Sequence, residues 1–127
     1  MQELRDAASR GHPDSGLKRV ARGSVQGMSG MSQLRIYQIQ EGKMDDWLAG
    51  WTHGVRPLRL KFGFHIDGAW LVPGTNTFVW ILRYDGPEGF EARDALYYNS
   101  EERKALQPDP APLIVKAETY MMTAIDR

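Results

Sequence analysis

Cysteine is absent from this chain. That excludes a disulfide framework, a thiolate metal site and a thiol nucleophile together. Histidine is scarce: His12, His53 and His65 are the whole supply. A zinc centre needs three or four well-placed ligands, and two histidines among scattered acids after residue 30 do not provide them. Neither sign of charge is in excess, with 16 basic residues against 16 acidic ones. The basic face that nucleic acid demands is therefore missing. No apolar run approaches the roughly 20 residues of a membrane span. Neither Gly63-Phe64-His65 nor Gly86-Pro87-Glu88-Gly89 is a phosphate loop, and no serine sits in a nucleophile elbow. Nucleic acid and membrane drop out as partners, and a cysteine-free chain suits the reducing cytoplasm.

What remains is one domain's worth of sequence, 127 residues of which 42% are apolar. Residues 1–30 stand apart. Arg5, Arg10, Lys18, Arg19 and Arg22 mix there with Glu3, Asp6, Asp14, glycine and serine, and large apolar residues are few. Such a stretch cannot offset the entropy of ordering itself, so it reads as a disordered extension. A mitochondrial presequence would be Arg-rich, but the three acids and Pro13 oppose it. Met28 and Met31 offer later starts, and an over-called extension is the favoured reading. Residues 31–127 form the folded domain.

Its patterning alternates between two periods. Leu34 to Ile39 has the period of two expected of a half-buried strand, with Arg35 and Tyr37 sharing one face. Lys43 to Lys61 changes to helical spacing, with Met44, Trp47, Leu48, Trp51, Val55 and Leu58 as the apolar stripe. Pro57 should kink or tighten that helix, and Gly63 is its C-cap. Phe64 to Val72 and Thr77 to Tyr84 are strands joined at Pro73-Gly74-Thr75-Asn76, with Val72 opposite Thr77. That register predicts two faces. Ile66, Gly68, Trp70, Val79 and Ile81 form an aliphatic face to receive helices. His65, Asp67, Ala69, Leu71, Phe78, Trp80, Leu82 and Tyr84 form an aromatic and polar face, left open by the helices.

A second helix follows Pro87 and runs to Tyr98, with Phe90, Ala92, Ala95, Leu96 and Tyr97 as its buried candidates. Of Tyr97 and Tyr98, one ring is expected to be buried and one phenol to sit at the rim. Ser100 caps a short helical turn, the proline-rich Pro108 to Pro112 is a stiff connector, and Leu113 to Met122 is the last strand. The order βαββαβ predicts an α+β, ferredoxin-like domain. It has a four-stranded antiparallel sheet with two helices on one face.

Several segments resemble one family. They are Leu34-Arg35-Ile36-Tyr37, the helix from Trp47 to Leu60 with Arg56-Pro57-Leu58, Gly63-Phe64 leading to Gly68-Ala69-Trp70, Trp80 to Asp85, and Tyr97 to Arg103. Together they resemble NIPSNAP proteins over residues 32–124. The resemblance implies ferredoxin-like subunits that pair sheet to sheet as a dimeric α/β barrel. That superfamily includes cofactor-free antibiotic-biosynthesis monooxygenases, haem enzymes and members without known activity, so fold narrows function little. It carries no universal catalytic residue across to this chain.

Candidate site residues come from the face expected between the two sheets. Arg35 and Tyr37 would anchor a carboxylate or enolate by charge and bidentate hydrogen bonds; Arg35 pairing with Glu118 across the dimer is the structural alternative. His65 and Asp67, about 7 Å apart along one strand, would move a proton, the aspartate orienting the imidazole. Trp80 and Tyr84, with Trp70 and Phe78, would stack on a hydrophobic planar ligand, or simply build core and interface. Haem needs an axial ligand in a deep pocket; His53 and His65 leave it open but unsupported, and no cofactor is expected. Three function classes follow: a cofactor-independent oxygenase or isomerase on a hydrophobic enolisable substrate, a non-catalytic binder of the same small molecule, and a homodimerising interaction module.

Overall fold

A computed structural model describes residues 31–126; the extension expected over residues 1–30 lies outside them. The strands are β1 Met31–Ile39, β2 His65–Val72, β3 Thr77–Tyr84 and β4 Ile114–Met122. They form one antiparallel sheet in the order β2-β3-β1-β4, with β1 and β3 central. Helix α1, made of the consecutive segments Met44–Gly50, Trp51–Val55 and Arg56–Lys61, joins β1 to β2, and helix α2 Phe90–Asn99 with the short α3 Glu101–Lys104 joins β3 to β4. This is the expected ferredoxin-like order.

Helix α1 begins as an α-segment, Met44–Gly50, with Asp45 and Asp46 in the first turn, where the helix dipole favours negative charge. It widens into a π-turn, Trp51–Val55, closed by a bond from the Arg56 amide to the Trp51 carbonyl, and continues as Arg56–Lys61. Pro57 has no amide hydrogen to return to His53, so the ladder is already interrupted where the wider turn sits. The helix ends at Gly63, whose φ of 90° only glycine adopts freely. The Phe64 amide reaches the Arg59 carbonyl at 3.1 Å and the Gly63 amide that of Leu60 at 3.0 Å, which is a Schellman cap. Ser100 caps α3 by accepting the Arg103 amide at 3.1 Å.

The register confirms Val72 opposite Thr77, but a bulge interrupts β2 between Ile66 and Gly68. Three cross-strand rows make up one sheet face: Leu71–Phe78–Tyr37–Ala117, Ala69–Trp80–Arg35–Thr119 and Ile66–Leu82–Gln33–Met121. The other face carries Trp70–Val79–Ile36–Glu118 and Gly68–Ile81–Leu34–Tyr120.

The helices cover the first face. Trp47 meets Phe78 edge-on with centroids 5.4 Å apart, and Trp51 meets Phe78 at 5.3 Å and Trp80 at 5.4 Å. Tyr37, Phe78, Trp80 and Leu82 are all buried there. This corrects the assignment of faces. The aromatic and polar face lies beneath the helices, and the aliphatic face of Leu34, Ile36, Trp70, Val79 and Ile81 is the open one. The reason is packing. A helix pair carrying Trp47, Trp51, Val55, Tyr97 and Tyr98 offers broad aromatic surface, and edge-to-face rings bury more area than short aliphatic rows. A second correction concerns α2: Tyr97 and Tyr98 are both buried, while Ala92, Ala95 and Leu96 are exposed, Leu96 by 53%.

Candidate functional site

Between the sheet and the helices lies a buried polar cluster centred on Arg35, in the middle row of the sheet. Its Nε donates to Gln33 Oε1 at 2.5 Å, and its Nη1 donates to the hydroxyls of Tyr37 at 3.1 Å and Tyr98 at 3.0 Å. Its Nη2 lies 3.3 Å from Asp94 Oδ1, and Arg59 Nη1 donates to that same oxygen at 2.8 Å. Strand β1 supplies Gln33, Arg35 and Tyr37 by alternation. Helix α1 supplies Arg59, four residues after Val55 on the apolar stripe. Helix α2 supplies Asp94 and Tyr98, in the series 90, 94, 98 that faces the sheet.

A third guanidinium, that of Arg103 from α3, is also buried and has Asp109 3.2 Å from its Nη2. Aromatic rings partition these cations. Arg59 stacks 3.7 Å above the Tyr97 ring and 4.7 Å from Phe64, while Arg35 lies 5.6 Å from Trp80. Such contacts contribute on the order of 1–2 kcal/mol when desolvated.

Together these groups line a cavity with about 10 Å³ open to the centre of a water-sized sphere. That is room for one water or one small functional group. Its walls are Arg35, Tyr37, Trp80, Arg59, Arg103 and Tyr97, closed by Trp47, Val55 and Ala111. The π-turn of α1 therefore ends on the cavity wall.

Electrostatics follow burial. Burial works against charge on Arg35, but Tyr37, Tyr98 and Asp94 outweigh it, and its pKa rises well above the arginine norm. Burial pushes the Tyr97 phenol up to about 12, with Arg59 pulling the other way. Tyr37 also rises through burial, opposed by Arg35. All three groups thus remain protonated near neutral pH: one cation and two neutral phenols.

The raised Tyr97 value has a measurable consequence. An unfolded tyrosine releases its proton near pH 10, before the folded one, so stability is intact below pH 10 and falls as pH climbs toward 12. The expected loss is about 2–3 kcal/mol. Urea unfolding across that range should show a shallower decline in Tyr97→Phe, with Tyr37 sustaining what remains; an unchanged slope would refute the assignment.

A NIPSNAP family profile matches residues 32–126. The chain belongs to the NIPSNAP family. A comparison with curated proteins finds no match. Among solved structures, a NIPSNAP domain protein from Burkholderia xenovorans is 18% identical with a TM-score of 0.65, covering 74% of this chain and 93% of that one. A NIPSNAP family protein from Agrobacterium tumefaciens is 17% identical with a TM-score of 0.68, covering 80% and 91%. An antibiotic biosynthesis monooxygenase is 15% identical with a TM-score of 0.58, covering 76% and 99%. These likenesses show a shared fold.

Within the NIPSNAP domain, Arg35, Tyr37 and Trp80 do converge on one cavity, but it lies inside the subunit rather than between two sheets. Tyr84 is elsewhere: its hydroxyl accepts from Arg93 Nε at 2.9 Å, away from the cavity. His65 and Asp67 are on the opposite side of the sheet. The bulge inserts Asp67 as an extra residue, so His65 pairs with Arg83 in the row of the open face. There His65 Nε2 lies 3.4 Å from Asp85 Oδ2, and Arg83 bridges Asp67 at 3.1 Å and also Asp85. His65 is exposed, and Asp67 serves Arg83 rather than the imidazole. No single site in the subunit can use both this pair and Arg35.

Sequence reading missed Arg59, Asp94, Tyr98 and Arg103 as cavity or cluster residues. The signal was available: Arg59 continues the series Trp47, Trp51, Val55, and Asp94 stands between Phe90 and Tyr98 on one stripe. A charge in register with an apolar stripe is a buried charge needing a partner. Among the described residues no three His, Asp or Glu side chains are grouped to hold a metal ion, and no helix is long and apolar enough to cross a membrane.

Proposed function

We propose that this NIPSNAP protein is a homodimeric binder of a small molecule. The open sheet face pairs with the same face of a second copy, and each subunit holds its ligand in the cleft beneath its own helices. The observation carrying the binding assignment is a concentration of unmet hydrogen-bonding groups. Trp47 Nε1, Trp80 Nε1, Arg59 Nε, the Tyr97 hydroxyl and three Arg103 nitrogens are buried without a hydrogen-bond partner among the described residues, all on residues that line one cavity. A native fold leaves only a few such groups, and each left unmet costs about 1–3 kcal/mol. A ligand that meets them accounts for their gathering in one place.

Oxygenase or isomerase chemistry on an enolisable substrate is the second reading. It is favoured by Arg35, which presents one Nη to two phenols. It lacks a base: the cavity walls carry no histidine, and Asp94 is engaged by two arginines. Binding is therefore the better supported function.

Native mass spectrometry of protein purified from its own host tests this reading. The expected spectrum is a dimer with an added small-molecule mass that disappears in Ala111→Leu, which fills the cavity wall. A wild-type dimer that is bare in every preparation, or a mass that survives Ala111→Leu, would overturn it.

A further inference from the structure

The cavity's unmet groups share one sign. Indole and guanidinium nitrogens are donors only, and of the unpartnered atoms on the cavity walls only the Tyr97 hydroxyl can also accept. The charges lean the same way. Arg35, Arg59 and Arg103 are each at most 1% exposed. The two carboxylates that answer them, Asp94 and Asp109, are 16% and 30% exposed. Three buried cations thus face two carboxylates at the margin. Arg103 keeps only an ion pair with Asp109, and none of its three guanidinium nitrogens makes a hydrogen bond among the described residues. A donor-lined space with surplus positive charge is complementary to an anion.

We propose that the cleft takes the carboxylate group of a small organic acid, held between Arg59 and Arg103 with the Tyr97 hydroxyl and the Trp47 and Trp80 indoles as further donors. The lining selects the class. Arg59 and Arg103, with the Trp47 and Trp80 indoles, border a space of about 10 Å³, room for one small functional group. A guanidinium fork matches a carboxylate in two parallel hydrogen bonds. A water molecule would fit the space but would leave the charge uncompensated. The inference rests on the cleft being a ligand site, as argued above, and adds the charge and shape of what enters it.

The test uses the full chain and the arginine Nε–H signals of its ¹H–¹⁵N spectrum. Sodium acetate is titrated beside acetamide, its neutral isostere, and beside sodium chloride at matched ionic strength. Acetate is expected to shift the Arg59 and Arg103 signals saturably in the millimolar range and to raise the melting temperature, while acetamide and chloride leave both unchanged. Tyr97→Phe keeps the ring under Arg59 and should weaken acetate about fivefold, the loss of one hydrogen bond. Arg103→Met should abolish the shift at Arg59, and Arg103→Lys should restore part of it.

Acetate behaving like chloride overturns the proposal. Acetamide binding as well as acetate also overturns it while leaving the cleft a ligand site. If neither probe moves the signals and native spectra are bare, the binding assignment falls with it.

Discussion

Replacing Asp94 by alanine should lower the unfolding free energy by about 3–5 kcal/mol, toward the lower end because the carboxylate is 16% exposed. This carboxylate is shared by two guanidiniums that have almost no water of their own, Arg35 at 3.3 Å and Arg59 at 2.8 Å. Without it, two like charges would face each other across a low-dielectric space. Leaving a buried charge unpaired costs far more than the pair itself contributes. Since a domain's whole margin is about 5–15 kcal/mol, the variant should unfold at markedly lower urea. Asp94→Asn keeps an acceptor and should lose less. Arg59→Met should partly rescue Asp94→Ala, because it removes one of the two stranded cations, and the double-mutant cycle should show strong coupling. Asp94→Ala within about 1 kcal/mol of wild type would refute this account of the cluster.

The second large effect is expected at the open sheet face. Ile36 lies at its centre on β1, between Val79 and Glu118, in a patch continued by Leu34, Ile81 and the half-exposed Trp70. The Trp70 indole lies over Gly68, where no room remains for a Cβ. Such a patch marks an interaction surface. If a second copy covers it, Ile36→Lys places an ammonium group in a dry interface and should turn a wild-type dimer into a monomer. The fold should survive, because in the monomer that lysine meets water and the neighbouring Glu118. Size-exclusion chromatography with light scattering reads the mass, and circular dichroism reads the fold. A monomeric wild type, or an Ile36→Lys variant that remains dimeric, would remove the homodimer from the proposal.

The same patch explains an error in reading the chain. Period-two alternation sorts the residues of β1 and β3 into two sets without saying which set meets the helices. When one face is open but apolar and the other covered but partly charged, hydropathy points the wrong way. The bulge is a similar case. One extra residue at Asp67 reverses the phase of everything before it, and in the sequence only the following Gly68 hints at it. The expected placing of His65 on the same face as Trp80 was lost at that single residue.

Local signals were sufficient where the physics is local. The turn Pro73-Gly74-Thr75-Asn76 set the hairpin register, Gly63 its helix end and Ser100 its cap, each through bonds spanning at most five residues. The sequence alone therefore determined the βαββαβ order, the strand pairing of the hairpin and membership of a family. Which side of the sheet became core, and the meeting of Arg35, Arg59, Asp94 and Arg103 from four separate elements, were decided only in the folded chain. The longest bond of that cluster, from Arg35 to Tyr98, joins residues 63 positions apart, and the energies depend on which groups lose water together, a property that no single segment possesses.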